Sequence, residues 1–238
     1  MLNGKRIVVL GGTQGIGLAV AKKAGAQEGA IVVASSKQSS VDAALRELPK
    51  GSSGHAVDLR SEKAVSELFS RIGSFDHLVY TAGEPLLLSK LSDLDFAQAQ
   101  EFWKLRYWGA LAAVKAAAPH LRRDGSIVLT SGAAGVRPHP GFVIGASICG
   151  AMDSLTRALA VELAPIRVNI VTPGFVDTGL WSNVPEGARK EMFAEAAKKL
   201  PVGRVAGADD IAEHYLGFMN GVYVTGQSLI VDGGGVLV

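Results

Sequence analysis

Three glycines, Gly11, Gly15 and Gly17, follow the apolar run Ile7-Val8-Val9-Leu10 with the spacing G-x3-G-x-G, and a helical pattern follows them. Lacking side chains, they let a chain turn sharply from strand into helix. Backbone N–H groups can then approach a pyrophosphate that faces the helix amino terminus. Thr13, Gln14 and Ile16 complete this turn. Two further residues carry groups able to react. His139, in the loop between Gly132 and Gly145, could donate a proton near neutral pH, or be an ordinary exposed loop histidine. Cys149 has no cation beside it in sequence and reads as a small buried packing residue more than as a reactive thiol.

These groups need a frame to position them. Strand-like runs at 6–10, 30–35, 54–58, 77–81, 126–130, 167–171 and 228–231 alternate with helical stretches at 16–27, 41–48, 62–72, 96–118, 151–163 and 209–219. Continuous Val/Ile-rich strands alternating with helices predict a parallel sheet covered on both faces. The expected fold class is α/β: a single-domain, Rossmann-type, doubly wound parallel sheet over residues 1–238, with its ligand beyond the carboxyl ends of the strands. Residues 179–204 carry no strand signal but hold Trp181, Pro185, Met192, Phe193 and Pro201. A run of about 18 apolar residues, the length that spans a bilayer, is absent, and no secretory pattern precedes the first strand. The expectation is a cytoplasmic protein with no membrane partner. One cysteine excludes an internal disulfide and a cysteine-rich metal site, and a net charge of +2 gives no argument for nucleic acid.

Beyond the glycine turn stand Asp58-Leu59, Thr81-Ala82-Gly83 and Pro173-Gly174-Phe175-Val176-Asp177-Thr178, each at the end of a strand-like run. In this order and over this length the set resembles the short-chain dehydrogenase/reductase family. The resemblance implies a nicotinamide dinucleotide: Asp58 and the Leu59 backbone at the adenine, Ala82 and Gly83 along the adenosine ribose, Pro173, Gly174, Val176 and Thr178 against the nicotinamide. A plain helix cap before Ser61-Glu62 is the other reading of Asp58. The second strand ends in Ala34-Ser35-Ser36-Lys37, hydroxyls and a cation without the acid that would bind ribose hydroxyls and repel a 2′-phosphate. Ser35, Ser36 and Lys37 therefore point to NADP(H), although Gln14 stands where phosphate-binding relatives often place an Arg; NAD(H) is the alternative. Residues 179–204 correspond to the family's substrate lid, with a surface helix as the other reading. Likeness to the family's tetramer surfaces implies a homo-oligomer acting on a small molecule.

The family usually works with Asn, Ser, Tyr and Lys. The matching positions here are Arg106, Gly132, Gly145 and Cys149. Ser131 is the serine if the alignment slips by one, but none of the four Tyr residues has a Lys four positions later. Ser131, Gly132, Gly145, Cys149 and Trp181 then line the expected substrate pocket. A guanidinium at the place of Arg106 is costly unless it is paired. It is either a substrate clamp, and so a catalytic candidate beside His139, or half of an ion pair with a carboxylate or helix end. Reducing a ketone leaves an alkoxide that needs a proton, whereas reducing an iminium gives a neutral amine directly. Fungal bifunctional reductase/Diels–Alderases are similar in having the frame without the usual tetrad. The expected function is an NADP(H)-dependent oxidoreductase with a non-standard active site, acting on an iminium or cyclic intermediate. The alternatives are a carbonyl reductase with a replacement proton donor, or a catalytically silent NADP(H)-binding subunit or sensor.

Overall fold

The computed structural model describes residues 2–238. Its strands, in chain order, are β1 (Arg6–Leu10), β2 (Ala30–Ser35), β3 (Ser53–Ala56), β4 (Phe75–Tyr80), β5 (Leu121–Thr130), β6 (Arg167–Pro173), β7 (Val176–Asp177), β8 (Ala206–Gly207) and β9 (Ser228–Val231). The helices are α1 (Gly15–Ala26), α2 (Gln38–Leu45), α3 (Glu62–Ile72), α4 (Phe96–Trp103), α5 (Ala110–Ala117), α6 (Val143–Glu162), α7 (Glu186–Lys199) and α8 (Ala208–Asn220). Seven strands form one parallel sheet in the order β3-β2-β1-β4-β5-β6-β9.

Alternate residues of each strand feed two cores, because side chains along a strand point to opposite faces. Val8, Leu10, Val32, Leu78, Tyr80, Ile127 and Ile170 pack with α3, α5 and α6. Ile7, Val9, Val33, Val79, Val128 and Val171 pack with α1 and α8. Such two-sided burial explains why the strands read as unbroken apolar runs. From β1 the chain moves outward through β2 and β3, then returns to the other side of β1 as β4. That reversal opens a crevice beyond the carboxyl ends of β1 and β4.

Several elements differ in detail from the sequence expectation. The helix expected over 96–118 is interrupted by a π-helical turn, Lys104–Gly109, between α4 and α5. Within it the buried Tyr80 hydroxyl donates to the Leu105 carbonyl at 2.6 Å. Gly109 makes room for that hydroxyl: a Cβ there would lie 2.9 Å from Tyr80 Oη and 3.0 Å from the Leu59 carbonyl. Helix α6 starts at Val143 rather than near 151, its first turns hidden by the poor helix formers Gly145 and Gly150. Residues 179–204 contain α7, which buries no residue fully and so carries little amphipathic signal.

Candidate active site

The glycine turn is built by close approach. Gly11 has φ +83°, and a Cβ on it would lie 2.6 Å from the Ala82 nitrogen. Its N–H donates to the Ala34 carbonyl at 2.9 Å, while the Thr81 N–H donates to Leu10 at 2.9 Å, so the loops after β1 and β4 extend the sheet by one bond each. Thr81 Oγ1 adds donation toward the carbonyls of Leu10 and Gly11, at 3.2 and 3.3 Å. Gly15 also has positive φ, +52°. Gly17 is required for packing: a Cβ there would sit 2.3 Å from the Gly11 carbonyl oxygen. The first turn of α1 holds no acid, and Gln14 at its N-cap makes no side-chain cap. Its amide groups are therefore available to an anion, which is what a pyrophosphate requires.

A cavity of about 770 Å³ opens at this turn and runs along the carboxyl ends of the strands. Every site residue expected from sequence lines it. Ser35, Ser36, Lys37, Asp58 and Leu59 lie at one end; Gly11, Thr13, Gln14, Gly15, Ile16 and Gly17 form the turn; Ala82 and Gly83 continue from β4. Pro173, Gly174, Val176 and Thr178 follow β6, and Ser131, Gly132, His139, Gly145, Cys149, Trp181 and Arg106 complete the wall. Lys37 joins no ion pair among the described residues. Asp58 is not the cap of α3: Ser61 Oγ fills that place by accepting from the Ala64 N–H at 3.2 Å. The Asp58 carboxylate instead accepts from the Arg60 N–H at 3.0 Å.

Arg106 projects from the π-helical turn and has a protein partner in Glu84. Its Nη2 donates to the Glu84 carbonyl, and its Nε faces Glu84 Oε2 at 3.5 Å. The guanidinium carbon stands 4.3 Å from the Phe102 ring centroid. Gly83 gives it space, since a Cβ there would lie 2.9 Å from the guanidinium carbon and both terminal nitrogens. Burial pulls the Arg106 pKa below its usual value, and the Glu84 charge opposes that. Nε and Glu84 Oε2 are both shut from solvent without completing a hydrogen bond. Nη1 has no protein partner among the described residues, yet it is not enclosed. It is the guanidinium nitrogen free to meet a ligand.

The remaining pocket residues offer little acidity. Ser131 Oγ donates to the Cys149 carbonyl at 3.1 Å. Burial pushes the Cys149 thiol up, with the Ser131 contact and Arg106 pulling the other way. Gly132 and Gly135 make room for this cysteine, their hypothetical Cβ atoms falling 3.2 Å from Sγ and 2.8 Å from its Cβ. A Cβ on Gly145 would meet nothing within 4 Å. His139 is exposed, its ring 6.0 Å from Phe142 and 6.3 Å from Phe175, centroid to centroid. Trp181 is buried, stacks on Phe175 at 5.4 Å and donates its indole N–H to the Val176 carbonyl at 3.1 Å.

Comparison with known proteins places this geometry. The family model described as enoyl-(acyl carrier protein) reductase matches residues 11–235. A short-chain dehydrogenase/reductase from Acremonium sp is 36% identical, covering 99% of this chain and 97% of its own. The chain belongs to the short-chain dehydrogenase/reductase family. Among solved structures, a small-chain dehydrogenase in complex with NADPH superposes with a TM-score of 0.87 at 36% identity, covering 98% of this chain and 99% of its own. The MalC reductase/Diels–Alderase from Malbranchea aurantiaca superposes with a TM-score of 0.92 at 28% identity, covering 100% of this chain and 98% of its own.

On this short-chain dehydrogenase/reductase frame, several cavity residues were not singled out from sequence: Arg60, Glu84, Phe142, Phe175, Val236 and Val238. Two of them carried a signal. Arg60 directly follows Asp58-Leu59, and Glu84 is the acid that follows Thr81-Ala82-Gly83. The carboxyl-terminal valines carried none, because only the tertiary fold brings residues 236 and 238 to the pocket.

Proposed function

We propose that the protein is an NADP(H)-dependent oxidoreductase working without a protein acid at the family's usual place, on a cationic C=N group (an iminium) or a cyclic intermediate. The observation that carries this reading is the poverty of proton donors around Gly145. That residue opens onto empty space, Ser131 directs its proton to a backbone carbonyl, and Cys149 is a thiol held protonated and wedged between glycines. A ketone would need the alkoxide protonated there, a step to which a positioned acid contributes roughly 10²–10⁴-fold. An iminium needs none. Orientation alone can supply on the order of 7–11 kcal/mol.

The residues suit the cofactor. In this reading the α1 amino terminus with Gly11, Gly15 and Gly17 takes the pyrophosphate. Ser35, Ser36 and the unpaired Lys37 take a 2′-phosphate, and Asp58 with Leu59 takes the adenine. Ala82 and Gly83 pass the ribose, and Pro173, Gly174, Val176 and Thr178 lie against the nicotinamide. When bound, the reduced nicotinamide supplies the hydride. The NADPH complex of the solved relative at 36% identity supports the choice of cofactor. Arg106 offers Nη1 to the substrate, and pairing with Glu84 lessens its repulsion of a cationic substrate. Residues 179–204 act as the lid, with Trp181 as its apolar anchor. Homo-oligomerisation belongs to the same reading: Phe96, Trp108, Val161 and Tyr223 are exposed on α4, the π-helical turn, α6 and the loop before β9. Light scattering on the purified protein checks it.

The test is NADPH oxidation with N-methyl-3,4-dihydroisoquinolinium against 2-tetralone. Faster turnover of the iminium, unaffected by His139→Ala, is the expected outcome. A second reading rests on His139, which lines the cavity and makes no side-chain hydrogen bond among the described residues. A ketone preferred over the iminium, with turnover lost in His139→Ala, would establish that carbonyl reductase. NADPH binding with no turnover of any carbonyl or imine would favour a silent subunit.

A further inference from the structure

Among the described residues Glu84 is the acidic side chain that touches two cations of the cavity wall. Its Oε1 accepts from Arg60 Nη2 at 3.0 Å, and its Oε2 faces Arg106 Nε at 3.5 Å. Arg60 comes from the loop after β3, Glu84 from the loop after β4 and Arg106 from the π-helical turn, so one carboxylate ties three segments together. The two contacts are unequal. The bond to Arg60 is formed, whereas Oε2 and Arg106 Nε are both shut from solvent and stop short of a hydrogen bond. A buried donor and acceptor left open at this distance are costly, and a small rotation of the carboxylate would close them. Arg60 opposes that rotation by holding the other oxygen. The carboxylate is therefore divided between two directions, and whatever draws Arg60 away favours Arg106.

Arg60 lies beside Asp58 and Leu59, at the end of the cavity that also holds Ser35, Ser36 and Lys37. Arg106 lies across the Glu84 carboxylate from Arg60, close enough to Cys149 for each to bias the other's ionisation. We propose that Glu84 is a positioning residue: it sets the direction of the Arg106 guanidinium and, through Arg60, makes that direction respond to what occupies the adenosine end. The response rests on the cofactor reading above; the static link from Arg60 through Glu84 to Arg106 does not. An anionic adenosine phosphate attracts Arg60, releases Glu84 Oε1 and lets the carboxylate close on Arg106. Nη1 is then fixed for the substrate only when the cofactor is in place. The ligand then acts by its preference for the arrangement in which Glu84 has turned to Arg106.

The Arg106 Nε–H resonance of ¹⁵N-labelled protein, assigned by its loss in Arg106→Lys, tests this. Without ligand, Arg60→Ala should move that resonance and slow its solvent exchange by about tenfold or more, because the freed carboxylate completes the bond. Arg60→Lys, which keeps a cation on Oε1, should restore the parent behaviour. Glu84→Gln should remove the effect of Arg60→Ala when the two are combined. NADPH added to the parent protein should move the resonance in the same direction as Arg60→Ala. An unchanged resonance in ligand-free Arg60→Ala, or an Arg60→Ala effect that persists beside Glu84→Gln, overturns the proposal. NADPH fluorescence, followed in the same samples, reports binding separately. Failure of the parent protein to bind NADPH would sink the cofactor reading, while the ligand-free arms still decide the role of Glu84.

Discussion

Two residues of the cavity wall, taken singly, give direct tests. Gly145 sits on α6 with nothing within 4 Å of where its Cβ would be. Gly145→Tyr should therefore fold and melt close to the parent protein, within about 1 kcal/mol, since its Cβ meets no packed atom and the position lines the cavity. If hydride delivery needs no protein acid, the new phenol should not raise the rate of iminium reduction. Steady-state kinetics on N-methyl-3,4-dihydroisoquinolinium decides this; an increase would show that protonation limits the parent enzyme. Lys37 lies at the other end, exposed and in no ion pair among the described residues. Lys37→Ala should weaken NADPH while sparing NADH, narrowing the gap between their dissociation constants by roughly tenfold, the loss of one charge-assisted phosphate contact. Fluorescence titration of both cofactors measures it, and equal affinities in the parent protein would sink the NADP(H) assignment.

At the scale of elements, the π-helical turn is where a local irregularity serves the site. It places Arg106 against Gly83 and Glu84, and Tyr80 beneath it donates to the Leu105 carbonyl. Tyr80→Phe keeps the apolar bulk but leaves that carbonyl without its donor. It should cost about 1–3 kcal/mol in chemical denaturation and loosen Arg106; an unchanged midpoint would show that the turn holds without the hydroxyl. None of this could be seen in the sequence, because a π-turn alters helical register by one residue and the hydroxyl that bonds it, on Tyr80, is 25 positions from Leu105. The strands and the glycine turn were legible for the opposite reason. Two-sided burial writes itself as apolar runs, and the positive φ of Gly11 and Gly15 and the packing of Gly17 leave glycine almost no substitute. Arg106 sits between these cases. Its residue type implied a need for a partner, but the partner is a loop acid 22 residues away and only the fold selects it.

Taken as a whole, the molecule keeps its cavity at the carboxyl ends of the strands and a buried polar cluster on the amino-terminal side of β4. His77 belongs to that cluster: 4% exposed, its Nδ1 is 2.8 Å from Ser126 Oγ. Burial holds its pKa down to about 4, from an ordinary 6.5; Arg167 and Lys5 push the same way, and Asp76 and Asp124 oppose them. The sign of the pH effect follows. Above pH 6.5 the imidazole is neutral in both folded and unfolded chains, and its contribution to stability is fully present. As pH falls from 6.5 towards 4, the unfolded chain takes up a proton that the folded one refuses, and stability is lost; below about 4 both are protonated and the loss levels off. The full loss is about 3 kcal/mol, with roughly 2 kcal/mol gone by pH 5. Chemical denaturation at pH 7 and pH 5 should show this difference in the parent protein. His77→Asn, which keeps a polar partner for Ser126 but cannot titrate, should be less stable at pH 7 while losing less on going to pH 5, by about that same 2 kcal/mol. His55, whose pKa burial also lowers, is common to both proteins and cancels in the comparison. Equal losses in the two proteins would mean that His77 does not stay neutral in the fold, and that the acid sensitivity arises elsewhere.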